Sequence, residues 1–292
     1  MNTTRRKATL KEGEIIPITF DYVFTNIFNN DNNIKLIENF LSCYFDVPLE
    51  NIRGKVSIKN RNLPLENKKS RYKQVDLILD LNGKRINLEL NNNLSAGKKE
   101  RNVTYVCNVH GGQLKVGDND YSKINDTIQI NLNNYETSDE LKEEYYFSNE
   151  KGKIYTKKIR IDTLNLQKGA SLCYTNSETK LARWCLVFIS KSHKEFIKAL
   201  GDDLMEEEAK EILIDEVDKY SDDDEVVALY SNYSKEELER NTLITEARLD
   251  GLKKGEERGI LKTARKMSEK NMDISLISEL TGLDPQEIEK LK

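Results

Sequence analysis

The chain has 292 residues, of which 37% are hydrophobic and 33% charged, and its formal net charge is -4. A chain of this length buries a sizeable core without disulfide or metal staples, and this composition excludes disorder throughout. No apolar run approaches the roughly 20 residues that cross a bilayer, and the polar, basic start MNTTRRKATLKEGE lacks the apolar centre of a signal peptide, so a cytoplasmic location without a membrane partner is expected.

In chain order, Phe20, Phe24, Ile27 and Phe28 share one helical face, with Thr19 as the expected cap. After the turn at Asn29–Asn33, the residues Ile34, Ile37, Phe40, Leu41 and Tyr44 share a second face before Pro48 stops the run. Val56–Ile58 alternates as a short strand, and Asn60–Ser70 is polar and reads as a loop. Gln74–Asp80 and Lys84–Leu90 are alternating runs joined at Asn82-Gly83, the strongest short-range hairpin signal. A helix over Ala96–Val109 is then ended by Gly111-Gly112, and Ile128, Ile130 and Leu132 alternate as another strand. A second hairpin is expected to bracket Asn149–Gly152, joining Tyr145–Ser148 to Lys153–Leu166. Trp184, Leu186, Val187 and Phe188 lead into a helix running through Leu200. The acidic point Ser221–Glu225 reads as a turn between helices. From Leu238 onward the chain should be helical but interrupted at Gly251, Gly255 and Gly259. It ends in two short helices, Ile274–Leu280 and Pro285–Leu291, with Gly282 as a stop and Asp284 as a cap.

Histidine chemistry has little material, because only His110 and His193 are present. Cys43, Cys107, Cys173 and Cys185 form no CxxC pair and are expected as buried reduced thiols. A GxxxxGK[ST] phosphate loop is missing from the sequence. Carboxylates are the remaining candidates. A two-residue Asn82-Gly83 loop pairs residues whose numbers sum to 165, which sets Asp76 opposite Glu89. Val75, Leu77, Leu79, Ile86, Leu88 and Leu90 then cover the core face, and Asp76, Ile78, Asp80, Arg85, Asn87, Glu89 and Asn91 cover the other. Like charges at cross-strand distance repel, so something must offset them. Mg²⁺ or Mn²⁺ would do so, since both prefer hard oxygen ligands. Arg85 or a basic residue of the Asn60–Lys73 loop is the alternative.

The hairpin QVDLILDLNGKRINLELN resembles the Asp–hairpin–Glu-x-(Lys/Gln) core of PD-(D/E)XK nucleases, in particular the recombination-promoting nuclease and transposase-like group of bacteria. FDYVFTNIF, RNVTYVCNVHGGQLKVGDNDY, TIQINL and the ending DISLISELTGLDPQEIEKLK resemble further motifs of that group in the same order. The resemblance implies an α/β fold with a PD-(D/E)XK restriction-endonuclease-like core, a mixed central sheet flanked by helices, and a helical C-terminal extension. It implies metal binding at Asp76 and Glu89 with Asp21 in support, catalysis involving Asp76, Glu89 and Asn91, and Mg²⁺ or Mn²⁺ as cofactor. Asn91 departs from the family pattern, since it stands where the superfamily has Lys and this group commonly Gln. It keeps amide chemistry without the positive charge.

The implied activity is metal-dependent hydrolysis of DNA phosphodiesters, linked to recombination or mobile elements. The alternative is a catalytically impaired relative that binds DNA or a protein partner. Arg53–Arg101 holds 13 Lys/Arg against 5 Asp/Glu, a net of +8, whereas Gly201–Arg240 holds 4 against 16, a net of -12. The first stretch suits a polyanion, with Lys73, Lys98, Lys99 and Arg101 as its expected DNA contacts, and the second suits a protein contact. Tyr105, on the face of Arg101, reads as a packing residue. The expected organisation is a nuclease-like domain over 14–200, an acidic helical linker over 201–240, and a helical tail over 241–292. That tail ends in a helix-turn-helix-like pair suited to homo-oligomer formation.

Overall fold

A computed structural model describes residues 9–59, 75–114, 117, 120–135, 138–175 and 178–290. The chain divides into two compact units, Met1–Tyr230 and Ser231–Lys292.

The first unit opens with α1 (Asp21–Phe28) and α2 (Ile34–Phe45). Thr19 does not cap α1. Phe20 is the capping position and makes no side-chain cap bond, and the Thr19 amide instead donates to the Phe188 carbonyl at 3.1 Å. Asp46 ends α2 in a left-handed conformation, two residues before Pro48.

β1 (Val56–Lys59), β2 (Leu77–Leu81) and β3 (Lys84–Asn91) follow, then α3 (Lys98–Gly111) and β4 (Asp126–Asn133), and the hairpin of β5 (Lys142–Ser148) with β6 (Ile154–Asn165). The six described strands form one mixed sheet in the order β1-β2-β3-β4-β6-β5, with β3, β4 and β6 parallel and the other pairs antiparallel. The parallel step from β3 to β4 is made through α3, as such a step requires a crossover.

The β2–β3 turn is the expected one. Asn82 and Gly83 have φ of 46° and 74°, the left-handed pair of a type I′ hairpin, and every paired residue number sums to 165. Leu77, Leu79, Ile86, Leu88, Ile130 and Leu132 are buried on one face. The Tyr44 hydroxyl donates to Asp162 Oδ2 at 2.8 Å, and Asp162 pairs with Ile130, so α2 covers that face. Val75 departs from its expected side. The chain bends at Asp76, and Val75 packs with Ile78, Tyr105 and Val109 under α3.

α4 (Leu166–Leu172) begins where the second hairpin strand was expected to end, because the Asn165 side chain turns back to cap it, accepting from the Lys168 amide at 3.0 Å. The expected helix through Leu200 is two helices, α5 (Lys180–Ile189) and α6 (His193–Leu200), broken where Ser190 turns extended. α5 supplies Trp184 and Phe188 to an aromatic core with Phe24, Phe28 and Phe40. α7 (Glu207–Asp222) and α8 (Asp224–Glu269) meet at Asp223, inside the expected acidic turn.

α8 runs unbroken through Gly251, Gly255 and Gly259. Three glycines cost about 1 kcal/mol each against alanine, yet their Glu-, Lys- and Leu-rich surroundings favour helix, and Lys254 pairs with Asp250 one turn away. α9 (Ile274–Thr281) and α10 (Pro285–Glu289) close the second unit, where Ile277, Ile288 and Ala264 form a small core with Met267, Met272, Ile274 and Leu283. Leu280, at the expected end of the first of these helices, is exposed, and Leu291, at the expected end of the second, lies outside the described residues. The four cysteines are free thiols, but only Cys185 is fully buried and Cys107 is exposed. No helix among the described residues is long and apolar enough to cross a membrane.

Candidate active site

The β2–β3 register carries Asp76, the residue just before β2, to the end of β3 that holds Glu89. The two acids are clasped through backbone. The Leu90 amide donates to Asp76 Oδ2 at 2.8 Å, and the Asp76 amide donates to Glu89 Oε1 at 3.3 Å. Each carboxylate thus meets an N–H from the other's strand, which partly offsets their repulsion. Glu89 is 1% exposed, and Asn87 Nδ2 adds a further donor to Oε1 at 3.2 Å.

The cation beside the pair comes from α3. Arg101 Nη2 lies 3.2 Å from Glu89 Oε2, and its guanidinium sits 5.0 Å above the Tyr105 ring. Arg85, the alternative neutraliser, is committed elsewhere in a bidentate pair with Asp80, at 2.8 and 2.9 Å. The Asn60–Lys73 loop, and with it Lys73, lies outside the described residues. Lys98 is half-buried near the three acids, with its pKa lowered by burial and by Arg101, and Lys99 is exposed.

Charge and burial show in the acids' proton affinities. Burial, then the neighbouring Asp76 charge, pushes Glu89 up to about 7 against the pull of Arg101. Burial also raises Asp76, with Asp21 adding to the effect. Asp21, the first residue of α1, is raised by desolvation as well, although it stays at the exposed edge where water tempers the effect. Its holder is a residue that sequence reasoning missed: Asn92 Nδ2 donates to Asp21 Oδ1 at 2.9 Å and to the Thr19 carbonyl at 2.7 Å.

Asn91 is 1% exposed and faces β4 rather than solvent. Its Nδ2 donates to Asn133 Oδ1 at 3.1 Å and to Asn131 Oδ1 at 3.4 Å. Asn87, Gln129, Asn131 and Asn133 complete a buried amide layer beneath α3. The signal was present in TIQINLN, where Gln129, Asn131 and Asn133 recur every second residue in a strand whose interior setting would otherwise favour apolar side chains.

Asp76 and Glu89 suit a divalent cation in kind, as convergent hard oxygen donors whose raised proton affinity marks excess negative potential. Among the described residues, no three His, Cys, Asp or Glu side chains form a closed metal cage. Two carboxylates fit Mg²⁺, which keeps several waters, and Asp21 is turned toward Asn92.

A mixed six-stranded sheet flanked by helices, with an Asp–Glu pair at one end of its β2–β3 hairpin, is consistent with a nuclease-type α/β fold. Residues 18–247 match the family described as PD-(D/E)XK nuclease family transposase, and the chain belongs to that family. No curated protein and no solved structure matches the chain.

Proposed function

We propose that the chain is a divalent-metal-dependent DNA endonuclease, acting in recombination or on mobile DNA, with Mg²⁺ or Mn²⁺ held by Asp76 and Glu89. The observation that carries this reading is the Asp76–Glu89 clasp, in which the buried Glu89 is pushed up to about 7 beside the Arg101 guanidinium. Strand pairing and backbone N–H groups pre-set both carboxylates, and burial of Glu89 keeps bulk water from competing for them. When bound, the ion would polarise a phosphoryl oxygen and lower the pKa of a water. Lys98 and Arg101 stand where a DNA phosphate would approach, and guanidinium forks match phosphate oxygens. Lys99 extends the basic patch on the same helix, and Asp21, tethered by Asn92, supports the site from α1.

The test is nicking of supercoiled plasmid with Mg²⁺, with Mn²⁺ and with EDTA. Nicking should require a metal and vanish in Asp76→Ala and Glu89→Ala. Nicking that survives both substitutions sinks the assignment. A second reading, DNA binding without cleavage, is favoured by Asn91, which has no cationic head and spends both amide protons inside the sheet. Binding by the same protein with no nicking under any metal would select it.

A further inference from the structure

A buried amide can be reversed end for end unless a neighbour forbids it, and the layer beneath α3 contains such a neighbour. Asn131 Nδ2 donates at 3.0 Å to the backbone carbonyl of Asp162, an atom that only accepts. Asn131 Oδ1 must therefore face the other way, and there it accepts from Gln129 Nε2 at 3.1 Å and from Asn91 Nδ2 at 3.4 Å. The polarity passes on. Gln129 Oε1 accepts from Asn87 Nδ2 at 3.4 Å, and the same Nδ2 donates to Glu89 Oε1, a second group that only accepts when ionised. Strand register builds the arrangement, because Asn87, Glu89 and Asn91 pair with Gln129, Asn131 and Asn133.

The consequence falls on Asn91. Both its amide protons point at oxygens of β4, and its Oδ1 is buried without a hydrogen-bond partner among the described residues. We propose that Asn131 is a positioning residue that locks Asn91 with Oδ1 as its unpaired atom, so that this site holds an acceptor where a lysine would present donors. An acceptor oxygen at that point orients a water by taking one of its hydrogens, and it leaves the water lone pair free for attack. The inference deepens the reading of Asp76, Glu89 and Asn91 as the reacting end of the molecule and rests on it, but the locking itself is a property of the fold.

Two measurements on the full chain separate these layers. In the ¹⁵N-labelled protein, the Asn91 side-chain amide is identified by its loss in Asn91→Leu. Its protons should exchange at least about ten-fold more slowly in the parent than in Asn131→Leu. Asn131→Thr suits a strand and keeps a polar side chain but is too short to reach Asn91, so it should give the same release while preserving the fold. In the nicking assay, Asn131→Leu and Asn131→Thr should lower kcat by about 10–100-fold with KM unchanged. Neither should cost more activity in an Asn91→Leu background, since the effect runs through Asn91. Equal exchange at Asn91 in the parent and both Asn131 variants overturns the inference whether or not the protein cuts DNA. Multiplicative losses in the double variants overturn it too. A parent that never nicks defeats the nuclease reading alone, and the exchange rates still decide the role of Asn131.

Discussion

Glu89 concentrates the tension of the site, because its carboxyl is buried beside another acid and holds its proton up to about 7. An unfolded chain releases that proton near 4.5, so between these values the folded state binds more protons than the unfolded one. The stabilising contribution is therefore full below about 4.5 and is lost as pH rises through about 7. Thermal unfolding in EDTA should show Tm falling across this window. Glu89→Gln should flatten the fall, and Mg²⁺ or Mn²⁺ added at pH 8 should raise the Tm of the parent but not of the variant. A pH-independent Tm in EDTA would count against the buried pair. Arg101 belongs to the same balance. Its 3.2 Å contact with Glu89 makes it the internal counter-charge, and the proposed metal on the carboxylates would free it for the proposed phosphate contact.

Among the elements, the β2–β3 hairpin decides whether there is a site at all. A one-residue slip would carry every side chain of a strand to the opposite face and separate Asp76 from Glu89. The register is held by a turn in which Gly83 has φ of 74°, a conformation that β-branched residues resist. Gly83→Val should cost about 1–3 kcal/mol, measured by urea unfolding, and should weaken Mn²⁺ binding in proportion to the register lost. Wild-type stability in that variant would show that strand pairing alone sets the register. In the second unit, Asp284 makes a complete capping box with Glu287 ahead of Pro285. Asp284→Ala should destabilise the α9–α10 pair by about 1 kcal/mol, visible as faster hydrogen exchange there and unchanged exchange in β3.

Across the whole molecule, stability and charge are unevenly spread. Strands β3 and β4 are buried nearly throughout, while α8 from 234 to 259 is exposed on almost every residue. Backbone amides of that stretch should exchange orders of magnitude faster than those of β3 and β4, and comparable protection would reveal that something covers the helix. The net charge of -4 hides a basic stretch that ends at α3. DNA affinity should consequently fall steeply with salt. The combined Lys98→Gln, Lys99→Gln and Arg101→Gln variant should lower the slope of log K against log salt by up to about 3. An unchanged slope would move the DNA contact elsewhere.

The hairpin, its turn and its register were legible in the sequence because they are local: Asn82-Gly83 dictates the backbone, and alternation then assigns faces. For the same reason α1, α2, α3 and the two terminal helices were readable from spacing and stop signals. Glycines along α8 misled, because their local cost is outweighed by the helix-favouring residues around them. The break at Ser190 and the cap at Asn165 went unread for want of a strong local signal. Tertiary structure alone decided which cation faces Glu89, since choosing Arg101 over Arg85 depends on where α3 crosses the sheet. It alone placed Asn92 on Asp21. It also set the direction of the Asn91 amide, because that direction is inherited from the Asp162 carbonyl, 71 residues away in the chain and two strands away in the sheet.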